Sequence, residues 1–199
     1  MVRGLWVVLV LGLVLMGVTG CWNPFSPDGD GDGGGDGQYD RTNPDKLLNF
    51  FASAYVDKNV DRYDEALDDD FSFQFLSDDY TSAGVDSVTP YWGKGEDVEN
   101  TGNMFGSPKT FGITFDFGLP IEPWYETTVV LNRGKENEQT VQALWTRRQP
   151  DIQVVVDEGE AELTTFWVNN SRLIVTVVQD RYDSKLWRVH KIEETKLSG

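Results

Sequence analysis

The chain of 199 residues has one cysteine and one histidine, and it carries 17 Lys and Arg against 33 Asp and Glu. Each scarcity excludes something. A single cysteine permits no internal disulfide and no multi-thiolate metal site. A single histidine removes the usual two- and three-histidine metal centres. A net charge of −16 has the wrong sign for neutralising phosphates, which excludes nucleic acid as a partner. The longest apolar run, Leu5 to Val18, is 14 residues, short of the roughly 20 that a spanning helix needs. No Walker sequence, dinucleotide fingerprint or G-x-S-x-G context occurs, and no solenoid or propeller period is present. No cofactor is expected. What remains, 39% hydrophobic with seven Trp, is enough to build one folded core.

The short apolar run is preceded by Arg3 and followed by small residues, the pattern of an export signal. Its end, Val18-Thr19-Gly20-Cys21, resembles the lipobox of bacterial lipoproteins, with Val18 where Leu is more usual. The resemblance implies cleavage after residue 20 and acylation of Cys21, the only thiol in the chain. Several acyl chains on one residue give stable attachment to a lipid bilayer. Trp22 stands where an inner-membrane retention signal has Asp, so an outer membrane is the favoured destination in a cell that has one.

Residues 28–37 read DGDGDGGGDG, and chain freedom with charge repulsion predicts a spacer. Asp28, Asp30, Asp32 and Gly33 fit the first positions of a calcium loop, but Tyr39 stands where its bidentate Glu belongs. The organisation expected is a signal peptide over 1–20, a lipidated tether over 21–42 and one domain over 43–199.

Asn43-Pro44-Asp45 supplies a cap, a first-turn proline and an acid, which predicts a helix carrying Leu47, Leu48, Phe51, Ala54 and Tyr55 inward. Asp61 is expected to cap a second helix with Tyr63, Ala66 and Leu67. After Asp68-Asp69-Asp70 the period changes to two at Phe71, Phe73 and Phe75. A third helix is predicted over Gly95 to Phe105, burying Val98, Met104 and Phe105. Beyond Pro108 alternation dominates. Phe111, Ile113, Phe115 and Phe117 should share one strand face, followed by strands at Val141 to Trp145, Ile152 to Val156, Glu160 to Val168, Leu173 to Gln179 and Leu186 to Ile192. Asn169-Asn170 predicts a tight hairpin. The order describes an α+β domain with N-terminal helices packed on a curved antiparallel sheet.

The opening "LLNFFASAYVDKNVDRYDEALDDDFSFQF" and the closing "LWRVHKIEE" are similar to the first helices and last strand of the NTF2-like superfamily, also called the SnoaL-like or cystatin-like cone. That similarity implies a pocket between helices and sheet. It does not choose a function, because the superfamily includes isomerases, dehydratases, cyclases and transport factors.

Candidate acid or base residues are His190, on the last strand, and Asp116, beside phenylalanines. Arg188 and Lys191 flank His190, so its imidazole is expected to be partly exposed without a carboxylate partner, and alternation places Asp116 in solvent. Trp92, Trp145 and Trp167, with Trp124 and Tyr125, either line a ligand mouth or fill the core. The acidic runs Asp68-Asp69-Asp70, Asp78-Asp79 and Asp157 to Glu162 read as solvated faces and edge protection, with no metal site. The expectation is a membrane-anchored extracytoplasmic lipoprotein, a noncatalytic module for a small apolar ligand or protein partner. A homodimer, a pocket enzyme and a structural envelope component stay open.

Overall fold

The computed structural model describes residues 40–75, 91–159, 162–168 and 171–196, with the side chains of Glu158, Glu162, Trp167, Val168 and Lys196 excepted. The expected leader, Cys21, the Asp/Gly run, Asp78-Asp79 and Glu160 lie outside this set.

Helix α1, Pro44–Val56, starts as its sequence dictates: the Asn43 side chain accepts from the Lys46 amide at 2.9 Å, with Pro44 in the first turn. It buries Leu47, Leu48, Phe50, Phe51 and Ala54, each of the large ones contributing about 1.5–3 kcal/mol of apolar transfer energy. Helix α2, Val60–Ala66, is capped by Asn59 and not by Asp61, which falls within the first turn. Asn59 is the residue that leaves the helical region, with its Oδ1 3.0 Å from the Arg62 amide. Strand β1, Leu67–Gln74, follows directly. After β2, Tyr91–Gly93, comes α3, Lys94–Gly106. The seven later strands are β3 Thr110–Asp116, β4 Tyr125–Leu131, β5 Gln139–Arg148, β6 Asp151–Gly159, β7 Glu162–Val168, β8 Ser171–Gln179 and β9 Trp187–Lys196.

The class is α+β, with the helices on a mostly antiparallel sheet system. The strands form a six-stranded sheet, β2-β1-β9-β8-β5-β4, and a three-stranded one, β3-β6-β7. One pairing departs from expectation: β1 and β9 run parallel, which two strands far apart in sequence can do because a long crossover separates them. Three further differences concern β4, the β7–β8 connection and Phe111. β4 was not legible as a strand, since YETTVVL lacks strict alternation, yet it pairs with β5 in unbroken register from Tyr125↔Trp145 to Leu131↔Gln139. β7 and β8, expected as a hairpin across Asn169-Asn170, belong to different sheets. Phe111 is 69% exposed, because a register shift between Thr110 and Gly112 turns it off the face that Ile113, Phe115 and Phe117 share.

The core lies between the helices and the inner strand faces: Leu47, Phe51, Tyr63 and Phe105 meet Leu67, Phe71, Ile113, Phe117, Val175, Val177, Val189 and Ile192. Two irregularities on neighbouring strands place the polar groups. From Leu67↔Val189 the next pair is Ser72↔Lys191, so β1 takes five steps where β9 takes two, and Asp68, Asp69 and Asp70 bulge. On the other side β9 is also shifted against β8 between Thr176 and Val177, which leaves His190 as the extra residue.

Gly118 has φ +67°, and a Cβ there would come within 2.5 Å of the Gln149 carbonyl oxygen. Gly118→Ala is expected to destabilise the domain by more than about 1 kcal/mol. Gly112→Ala, with open space around it, should lie within about 0.5 kcal/mol of wild type in the same urea titration. Equal midpoints for the two variants would remove the constraint assigned to Gly118.

Candidate functional site: an ion-pair network and a buried tyrosine–carboxyl cluster

The bulge on β1 is filled by charge. Arg181, in the β8–β9 loop, sets Nη2 2.9 Å from Asp68 Oδ1 and 2.9 Å from Asp70 Oδ2, while its Nη1 donates to Asn132 Oδ1 at 3.1 Å. The Asn132 amide donates to Asp70 Oδ2 at 2.5 Å, and the Asp70 amide to Asp68 Oδ1 at 3.0 Å. Asn132 occupies the left-handed region at φ +54°, where Asn is among the better tolerated residues. One guanidinium thus ties the β1 bulge to the β4–β5 turn and the β8–β9 loop. Beside it, Arg188 Nε lies 2.6 Å from Asp180 Oδ2, and Arg188 Nη1 donates to the Leu67 carbonyl at 3.1 Å.

His190 joins this network: it is half-buried, but contrary to expectation it meets a carboxylate, with Nδ1 3.3 Å from Asp68 Oδ1, and Asp68 is 1% exposed. Burial works to raise the Asp68 carboxyl, but hydrogen bonds from His190 and Arg181 outweigh it and hold the group well below the ordinary carboxylate value. An ionised Asp68 can only accept, so Nδ1 carries the proton facing it. A histidine fixed this way leaves Nε2 for other work. Asp68, however, is shared with Arg181, which makes the pair part of a closed ionic structure. Asp70 and Asp180 are likewise held low against the burial penalty, Asp70 by the Asn132 amide and Arg181, Asp180 by the Tyr182 amide and Arg188.

The second cluster sits among the helices. The Tyr63 hydroxyl on α2 donates to Asp97 Oδ2 on α3, and Tyr55 on α1 lies 3.5 Å from Tyr63, hydroxyl to hydroxyl. Phe51, Phe105 and Phe115 surround the two rings at centroid distances of 5.0 to 6.2 Å. Asp97 is 3% exposed. Burial pushes its carboxyl up to about 6; the Tyr63 hydroxyl pulls it partly back, and Glu96 adds repulsion. Burial also pushes the Tyr55 phenol up to about 12, with the Asp97 charge contributing. Asp97 stands in the first turn of α3, where the helix dipole favours an anion by about 0.3–1 kcal/mol. That is less than the cost of several kcal/mol for an unpaired buried carboxylate, so burial decides.

The other candidates from the sequence are dispersed. Asp116 is exposed and accepts from the Gly118 amide at 2.8 Å. Trp92 packs edge-on to Phe75 at 4.7 Å. Trp145 stacks on Tyr125 across β5 and β4 at 5.1 Å. Trp124 covers the Arg148 guanidinium at 5.6 Å. Trp167 lies on β7, its side chain outside the described set. No three or more His, Cys, Asp or Glu side chains among the described residues are arranged to hold a metal ion. An open groove of about 520 Å³ is lined by Leu119, Pro120, Ile121, Gln149, Pro150 and Asp151, and Leu119 is 88% exposed.

Sequence reasoning missed Arg181 and Asp97. Asp97 was findable: it precedes Thr101 and Phe105 at four-residue spacing, one helical stripe. Arg181 was not, since nothing local in Asp180-Arg181-Tyr182 points to partners more than 100 residues earlier.

No family profile matches the chain, and no curated protein matches it. Solved structures are similar in outline. An NTF2-like superfamily protein from Salmonella enterica serovar Typhimurium has 11% identity over 77% of this chain and 88% of that one, with a TM-score of 0.47. A ketosteroid isomerase-like protein from Erwinia carotovora atroseptica has 12% identity over 78% and 94%, with a TM-score of 0.41. An NTF2-like protein of unknown function from Pseudomonas putida has 10% identity over 76% and 82%, with a TM-score of 0.43. Likeness of this size carries nothing about activity.

Removing Arg181 would leave Asp68 buried without its cation. Arg181→Ala is therefore expected to lower the unfolding free energy at pH 7 by about 3–5 kcal/mol, and a loss below about 1 kcal/mol in urea titration would show the network to be ornamental. Asp68, Asp70 and Asp180 all have folded values below the ordinary 3.8. Their stabilisation is complete above about pH 4 and lost as pH falls below it. Asp68→Asn should flatten that acid limb in thermal scans between pH 2 and 5.

Proposed function

We propose that the chain is a lipid-anchored extracytoplasmic lipoprotein whose NTF2-like domain is a noncatalytic module for a small ligand or a protein partner. Anchoring is supported by the lipobox-like Val18-Thr19-Gly20-Cys21 and the Asp/Gly run between it and the domain. The observation that carries the noncatalytic part is the closure of the polar network: Asp68, the carboxylate at His190, is already engaged by Arg181. The apolar groove at Leu119, Pro120 and Ile121 contributes a surface whose one ionisable side chain is Asp151, suited to binding more than to proton transfer.

A pocket enzyme of the isomerase or dehydratase kind is the alternative, favoured by one observation, the raised Asp97 carboxyl beside Tyr55 and Tyr63. A buried acid of this sort suits hydrogen-bond donation or proton transfer. Against it stands the hydroxyl-to-carboxyl contact itself, which turns Tyr63 toward Asp97 and not toward open space.

Cys21→Ser is expected to leave an unprocessed precursor or a soluble exported form in cell fractionation; a variant that is processed and sediments with membranes like wild type would remove lipid attachment. His190→Gln is expected to keep ligand binding within a few fold. A folded His190→Gln protein that has lost turnover of a substrate converted by wild type would replace binding with catalysis.

A further inference from the structure

Among the described helices, α3 buries less apolar side chain than α1, with Val98 and Met104 only partly buried against the core. Its cap position, Gly93, makes no side-chain hydrogen bond, and the helix contains Gly95 and Gly102, which weaken helices relative to Ala. Its buried stripe is Asp97, Thr101 and Phe105, two polar residues and one ring, where α1 buries five apolar side chains. Phe105 meets Tyr55 and Tyr63 at 5.2 and 6.2 Å and fastens the C-terminal half. At the N-terminal half Lys94 holds the first turn to the carbonyls of Asp64 and Leu67, and Asp97, through Tyr63, is the buried attachment.

The geometry points to α3 as a pH-gated cover: with Asp97 protonated the helix seats on α1 and α2, and ionisation of that carboxyl loosens it from the aromatic cluster of Phe51, Tyr55, Tyr63 and Phe105. The groups facing Asp97 are Tyr63 from α2, Tyr55 and Thr101 as neutral neighbours, and Glu96 on its own helix. The charges on the packed elements are engaged elsewhere. Lys94 pairs with Asp64 and Asp69, and Arg62 with Asp57. Lys58 is held by the carbonyls of Thr110 and Phe111. On β1, Asp68 and Asp70 belong to Arg181. β2 contributes Tyr91, half exposed, and β3 the exposed Asp116. Among the described residues no cation pairs with Asp97, so hydroxyls alone would accommodate its charge.

The direction follows from linkage. Seated, the carboxyl titrates at about 6; released, it returns toward the ordinary 3.8. The seated form binds the proton more tightly, so seating is strongest below about pH 4, weakens as pH rises and levels off above about 6. Between pH 4.5 and 7.5 the opening constant of α3 should increase by about 25-fold.

The test is native-state hydrogen exchange on the full chain at pH 4.5, 6 and 7.5, corrected for intrinsic rates, with the α3 amides compared to those of β8. Opening of α3 is expected to grow by about 25-fold while β8 does not follow. In Asp97→Asn, which keeps the shape and cannot ionise, the α3 opening constant should vary less than about threefold over that range. A wild-type α3 that is flat with pH, or an Asp97→Asn variant that retains the full dependence, overturns the proposal. Should Asp97→Asn fail to fold, Tyr63→Phe serves instead. Losing that donor removes the interaction that lowers the carboxyl, so the Asp97 carboxyl ¹³C midpoint and the α3 opening midpoint should move up together. Unchanged or divergent midpoints overturn the coupling.

Discussion

The sheet depends on one guanidinium. Arg181 is where the β1 bulge, the β4–β5 turn and the β8–β9 loop meet, through Asp68, Asp70 and Asn132. Desolvating these charges is unfavourable in itself, and well-packed apolar residues of the same volume could stabilise as much. What the ionic arrangement adds is position. β1 takes five steps against two of β9, and three consecutive aspartates can protrude there only if something cancels their repulsion. With Arg181 across them the bulge has a geometry; without it, like charges crowd the gap between the Leu67↔Val189 pair and the Ser72–Gln74 register.

The helix side is built on the opposite principle. There the rings of Phe51, Tyr55, Tyr63, Phe105 and Phe115 interlock edge to face, geometry that adds about 0.5–1.5 kcal/mol per pair beyond burial. The polar side chains inside are two phenols, the Thr101 hydroxyl and a carboxyl, with no counter-ion among the described residues. A carboxyl in such surroundings is held neutral more readily than charged. The two clusters therefore respond to acid in opposite directions. Protonation unties the carboxylates around Arg181 and relieves the one beside Tyr63, so the pH window in which both halves are satisfied lies between the ordinary carboxylate value and about 6.

Local signals in the chain were legible where local physics decides. Asn43-Pro44-Asp45 started α1 because a cap, a proline and an acid act within one turn. The change of period after Asp70 marked a strand because side-chain alternation is a property of a single segment. What could not be read was set by distant partners. β4 is a strand because β5 pairs with it, the direction of β1 is set by β9, and Phe111 faces out because β6 forces a register shift. Asn169-Asn170 carried a hairpin signal, yet β7 and β8 were claimed by different sheets. Of the candidate site, His190 was singled out for being the only imidazole, but its partner, 122 residues earlier, was visible only as one aspartate in an acidic run.

The shortage of cations explains why the two clusters differ. With 17 basic residues for 33 acidic ones, most carboxylates must remain in water, where their repulsion is screened within about 8–10 Å at physiological salt. The buried and half-buried cations are placed against specific acids: Arg41 on Glu65 and Asp180, Arg148 on Asp45, Arg181 on Asp68 and Asp70. Each of these joins elements far apart in the chain, where a misplaced charge would be most costly. Asp97 lies beyond their reach, inside a ring of aromatic side chains. A buried carboxyl given phenols in place of a cation keeps its proton up to about pH 6, and that makes it the one acid in the described core whose charge can change without first breaking an ion pair.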